Sequence, residues 1–130
     1  MQDVIPFKIP DTLGGLLETD GLLRLEDDTL VLEVHSRILG KVSAGLRSFR
    51  LGFDRLEEIR FERGLFRRRL RLRLRSMEGL GGLPGLKTGE LDLRVAREDA
   101  DRAESLATAA ALRLTGQRIA ELDARLKDES

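Results

Sequence analysis

Cysteine is absent from the 130 residues, as are tryptophan and tyrosine, and histidine occurs once. Without thiols there is neither a disulfide framework nor a thiolate metal site, so the chain is indifferent to the redox state of its compartment. The single histidine, His35, falls on the polar side of its segment, alternating with Leu32 and Val34. No carboxylates cluster at metal-ligand spacing, so neither a metal nor a cofactor is expected. A nucleophile, a base and an orienting group cannot be assembled from these residues, which argues against an enzyme and leaves the catalytic set empty. The glycine-rich GLGGLPG has no Lys-Ser/Thr sequel and no strand-to-helix setting, so it is not a phosphate loop. Apolar runs of about 18 residues are missing, and the start MQDVIPFKIP lacks a charged segment followed by an apolar one. A cytoplasmic protein that does not associate with membranes is the expectation.

Charge is plentiful but balanced, with 23 basic and 23 acidic residues. The balance is global only. Residues 1–46 carry 4 basic and 8 acidic side chains, residues 47–75 carry 11 and 4, and residues 76–130 carry 8 and 11. The positive charge is therefore gathered in the middle, where FRRRLRLRLRS places Arg67, Arg69, Arg71, Arg73 and Arg75 at every second position.

From Val4 to Val95 apolar residues recur with period two, broken by turn residues about every ten positions, which is the pattern of short strands with one apolar and one charged face. Leu30, Leu32 and Val34 share a side, as do Phe49, Leu51 and Phe53, then Ile59 and Phe61, then Leu70, Leu72 and Leu74, then Leu91, Leu93 and Val95. Seven strands are expected near 4–9, 21–26, 30–37, 47–53, 57–63, 67–76 and 89–95, with EDDT and ERGLF as turns. The stretch MEGLGGLPGLKTG is a loop whose Leu80, Leu83 and Leu86 plug one end of the core. From Arg97 the period becomes 3.6, with Glu98, Asp99 and Asp101 in the first turn, where they suit the positive end of the helix dipole. Ala103, Leu106, Ala107, Ala110 and Leu114 form one apolar stripe.

Strands followed by a single amphipathic helix, and the wording of GLLRLEDDTLVLEV, RLEEIRFERGLF, LRLRLRS and GELDLRVAREDADRAESL, resemble bacterial pleckstrin-homology-like domains. The resemblance covers about residues 4–115 and includes an R-x-D at the entry to the final helix. It implies a mainly β fold, a seven-stranded antiparallel barrel of two packed, roughly orthogonal sheets capped by a C-terminal helix. One domain would span 1–130, the barrel about 4–95 and the helix about 97–126. Members of this superfold bind phosphoinositides, peptides or proteins, or mediate oligomerisation. Lipid-binding members place basic residues between the first two strands. Here DTLGGLLETDG, Asp11 to Gly21, holds Asp11, Glu18 and Asp20 and no basic residue, which argues against phosphoinositides in that pocket.

Three readings of the arginine stripe stand side by side. Glu58, Glu62, Glu90 and Asp92 on the neighbouring strands would make it a salt-bridge lattice that fixes register. It would otherwise be a surface for a protein partner, or a track for nucleic acid or acidic lipid headgroups, though no exposed aromatic interleaves it for base stacking. The helix tail raises a separate question. Leu112, Ile119, Leu122 and Leu126 lie about 100° to 180° around the helix from Ala103, so they cannot face the core that the first stripe covers. Either Gly116 bends the helix and returns them to their own barrel, or they pack against a second copy in a homodimer. The sequence thus points to a non-enzymatic interaction or oligomerisation module. An anionic-ligand binder acting through residues 67–75 is the alternative.

Overall fold

The computed structural model describes residues 4–10, 17–38 and 41–128. Seven strands, β1 (Val4–Ile9), β2 (Leu17–Glu26), β3 (Thr29–Ile38), β4 (Lys41–Gly52), β5 (Leu56–Arg63), β6 (Arg68–Leu74) and β7 (Glu90–Arg94), precede one helix, α1 (Ala100–Asp128). All pairings are antiparallel, and the spatial order is β4-β3-β2-β1-β7-β6-β5. Two meanders, β1 to β4 and β5 to β7, are therefore joined where β1 meets β7. That junction consists of one register pair, Lys8 with Arg94. The seven antiparallel strands and single C-terminal helix expected from the sequence are present, and their hydrogen bonding runs as one continuous sheet that does not close, with β4 and β5 at its edges.

Alternation along each strand decides which side faces inward. Ile5, Phe7 and Ile9 of β1, Leu70, Leu72 and Leu74 of β6, and Leu91 and Leu93 of β7 are all buried, and they share one core with Leu30, Leu32, Phe49, Leu51 and Ile59. Ala103, Leu106, Ala107, Ala110 and Leu114 of α1 join the same core, with small side chains that let the helix lie close to β5. Leu80 and Leu83 are buried and Leu86 is partly so, which closes one end of the core as their spacing suggested.

β2 and β4 begin earlier than the period-two signal indicated, at Leu17 and Lys41, because strand pairing extends through Glu18 to Asp20 and through 41–46, where no apolar alternation marks the strand. Of the acidic first connection, Glu18 and Asp20 thus belong to a strand, and Asp11 lies outside the described residues. Asp27 takes φ 48° in the two-residue turn between β2 and β3. The helix is entered through a 3-10 turn at Arg97–Asp99 rather than directly from Arg97. Asp99 is buried there and ion-pairs with Arg102.

Gly116 does not bend α1, which runs unbroken from Ala100 to Asp128, with open space where a Cβ would stand on Gly116. The second apolar stripe consequently stays away from the sheet. Leu112 is 70% exposed, Ile119 56%, Leu122 56% and Leu126 64%. No helix among the described residues is long and apolar enough to cross a membrane.

Candidate interaction surfaces

The outer face of the sheet carries the charged side chains, and strand register decides which of them meet. On β5, β6 and β7 the register sets Glu62 against Arg69 and Glu58 against Arg73, then Arg71 against Asp92 and Arg73 against Glu90. Arg69 donates to Glu62 at 2.9 Å and to Asp92 at 3.5 Å. Arg71 reaches Asp92 at 3.1 Å, Glu90 at 3.4 Å and Glu62 at 3.6 Å. Arg73 lies 3.6 Å from Glu58 and 3.7 Å from Glu90. Arg60 stands opposite Arg71, and the like charges are kept apart in effect because Arg60 turns along its own strand to Glu62 at 2.9 Å.

This network shifts the groups within it. The Asp92 charge, outweighing partial desolvation, raises the Arg71 guanidinium above its ordinary value. Burial pushes the Glu62 carboxyl up, but the hydrogen bond from Arg69 and the charges of Arg69, Arg60 and Arg71 together bring it below the usual carboxylate range. Such exposed pairs contribute little each and act mainly on register.

The five arginines of the stripe do not form one row. Arg67 precedes β6, is exposed, and has no carboxylate partner among the described residues. Arg75 follows β6, beyond a register irregularity between Leu56 and Glu58 on β5, and turns toward Glu57 at 3.7 Å and Glu121 of α1 at 3.9 Å. The lattice therefore holds Arg69, Arg71 and Arg73, while Arg75 helps fasten the helix to the sheet edge. Sequence periodicity could not reveal this, because a one-residue irregularity on the partner strand changes which side chains meet.

A second network escaped sequence reading. Arg24 ion-pairs with Glu33 and, at 2.8 Å, with Glu26, which also takes Arg50 at 3.1 Å. The hydrogen bond from Arg24 comes first in lowering the Glu26 carboxyl below its ordinary range. These side chains stand around Val31, which is fully buried although Leu30 and Leu32 beside it point inward. The only available signal was the unbroken apolar run Leu30 to Leu32.

Beside this network the outer face is hollowed into an open groove of about 760 Å³. β7 stays with β6 beyond its last residue, since the Val95 amide donates to the Arg68 carbonyl at 2.9 Å, while β1 pairs with β7 only at Lys8. The two strands thus part at Arg94 and the groove opens between them. Lys8, Arg94, Pro6, Leu22, His35 and Leu46 are among its lining residues. Pro6 faces Leu22 in register, and His35 faces Leu46. Among the described residues, no group of three or more His, Cys, Asp or Glu side chains could hold a metal ion.

No protein-family description matches the chain, and no curated protein matches it. Among solved structures, it is similar to the hSac2 domain from the human phosphoinositide phosphatase Sac2. The two superpose with a TM-score of 0.55 at 21% identity, over 88% of this chain and 70% of that one. This chain's own architecture is seven antiparallel strands in one sheet followed by one C-terminal helix. The fold is pleckstrin-homology-like. At 21% identity the likeness concerns architecture alone.

Proposed function

We propose that this pleckstrin-homology-like domain is a non-enzymatic interaction module that associates with a second copy of itself through the tail of α1. One observation carries the reading: Leu112, Ile119, Leu122 and Leu126 form an exposed apolar ridge on a continuous helix whose last buried residue is Leu114. Leu112, Ile119 and Leu126 recur every seven residues with Leu122 between the last two, the spacing of a short coiled-coil seam.

Arg118, beside the seam, is held by its own domain, where it donates to the Leu56 carbonyl and lies 3.8 Å from Glu57 and 4.0 Å from Glu121, so the apolar ridge rather than flanking charge carries the association. The seam is short, so the association is weak and concentration-dependent. Nucleic acid and acidic membrane surfaces have no part in this reading, since Arg69, Arg71 and Arg73 are each taken up by two or more carboxylates.

Light scattering on the full chain and on the double variant Ile119→Glu, Leu126→Glu tests the proposal. At roughly tens of micromolar the unaltered chain is expected to show mass above the monomer and the variant to be monomeric, with unchanged circular dichroism because both positions are exposed. Two monomers across that range would remove the self-association reading.

A further inference from the structure

On the outer face of the sheet the arginines of the β5–β7 lattice and of the Arg24 network are paired with carboxylates, whereas the cations at the seam between the two halves are not. Following the register across the strands gives one row: Glu62 on β5, Arg69 on β6, Arg94 on β7, Lys8 on β1, Asp20 on β2, His35 on β3 and Leu46 on β4. Three cations stand next to one another in it. Arg69 is satisfied by Glu62 and Asp92. Lys8 and Arg94 are both exposed, and among the described residues neither has a carboxylate partner. Asp92, the nearest acid along β7, is occupied by Arg69 and Arg71, and Glu33 in the groove wall is occupied by Arg24. Like charges directly opposite across a strand pair are destabilising. Here such a pair is the sole register link between the meanders.

The two cations lie in the groove already described, and what surrounds them narrows the ligand. Pro6 and Leu22, one row along, form an apolar floor, and Leu46, 65% exposed, adds an apolar wall beyond His35. A volume of about 760 Å³ suits a small organic molecule. Asp20 faces Lys8 in register, so the site carries one negative charge of its own close to the cations and repels a second charge on the ligand. A singly charged group therefore fits better than a dianionic phosphate, and the planar fork of Arg94 matches a carboxylate.

We propose that this groove binds an amphipathic monocarboxylate, its carboxylate held between Lys8 and Arg94 and its apolar body lying over Pro6 and Leu22. The proposal is independent of self-association through α1, because none of the groove residues belongs to the helix tail.

Titration of the full chain with octanoate, followed by two-dimensional NMR and calorimetry, tests it. Saturable shifts confined to Leu22, His35 and their neighbours are expected. Lys8→Ala and Arg94→Ala should each weaken the affinity about tenfold or more, with Arg94→Lys in between. Octanol, which lacks the charge, and acetate, which lacks the body, should bind far more weakly. Three results would overturn the proposal: equal affinity for octanol and octanoate, tighter binding of octyl phosphate than of octanoate, or octanoate affinity unaffected by both alanine variants. Groove resonances that move on dilution without any ligand would also overturn it, by giving the groove to another protein copy. Both positions are exposed, so the variants keep the fold, and unchanged circular dichroism verifies this.

Discussion

Arg102, in the first turn of α1, donates a hydrogen bond to the Val4 carbonyl at 3.1 Å and ion-pairs with buried Asp99 one turn before it. One side chain thus ties the entry of the helix to the first strand, across 98 positions of sequence. Arg102→Ala would leave the Asp99 carboxylate buried without its partner, at a cost of about 1–3 kcal/mol. Chemical denaturation should show the loss, and Asp99→Asn combined with Arg102→Ala should recover part of it. An unaltered midpoint for the single variant would mean that water replaces Arg102 at no cost.

Gly21 of β2 has no room for a side chain. A Cβ placed there would lie 2.2 Å from the Glu33 carbonyl oxygen and 2.7 Å from the Phe7 ring. The ring can move, but the backbone oxygen belongs to the β2 and β3 ladder and cannot yield without disturbing it. Gly21→Ala is expected to destabilise the fold by about 1–3 kcal/mol despite the better strand propensity of alanine. A thermal melt at or above that of the parent would contradict this packing.

Reversing Arg71 to Glu would set a carboxylate among Asp92, Glu90 and Glu62, all of which now lie within 3.6 Å of the guanidinium. A modest loss of stability is expected. It should be larger at roughly 50 mM than at roughly 500 mM salt, because screening weakens the repulsion between exposed groups. A loss that did not change with salt would point to packing of the arginine stem rather than its charge.

Acid should weaken both outer-face networks. Glu62 of the lattice and Glu26 of the Arg24 network are held below their ordinary value of 4.5. A carboxyl with a depressed folded-state value contributes stability that is present above its unfolded value and is lost as pH falls through the folded one. Stability is therefore expected to be flat from neutrality down to about pH 5 and to decline below the ordinary carboxylate value. In Glu62→Gln the decline should be shallower, and an unchanged slope would show that Glu62 does not drive it.

The inward faces of the strands could be read from the sequence because burial depends on alternation alone, and Leu70, Leu72, Leu91 and Leu93 lie in the core where the period places them. The first stripe of α1 was legible for the same reason. Pairing across strands was less so. That β6 lies between β5 and β7 follows from a meander, and from it came the match of Arg71 with Asp92. The displacement of Arg75 toward α1 depends on an irregularity that no periodicity encodes. The groove was invisible to sequence reading, since it arises from the parting of β1 and β7, segments about 85 positions apart in the chain, and Lys8 and Arg94 in isolation read as ordinary solvated charges.

The seam at Lys8 and Arg94 also has a consequence for the order of folding. Within each meander the pairings join segments that are neighbours in sequence and need shorter loop closures, whereas β1 can meet β7 only after the chain as far as Arg94 has left the ribosome. The two meanders are therefore expected to form first, with the seam and the Arg102 contact to Val4 completing the domain afterwards. Pulse-labelled hydrogen exchange during refolding should then protect amides of the β2–β3 and β5–β6 hairpins ahead of those flanking Lys8. A newly made chain would meanwhile display the inner face of β1 and the exposed edge of β7 together, which is the interval in which its synthesis is most prone to aggregation.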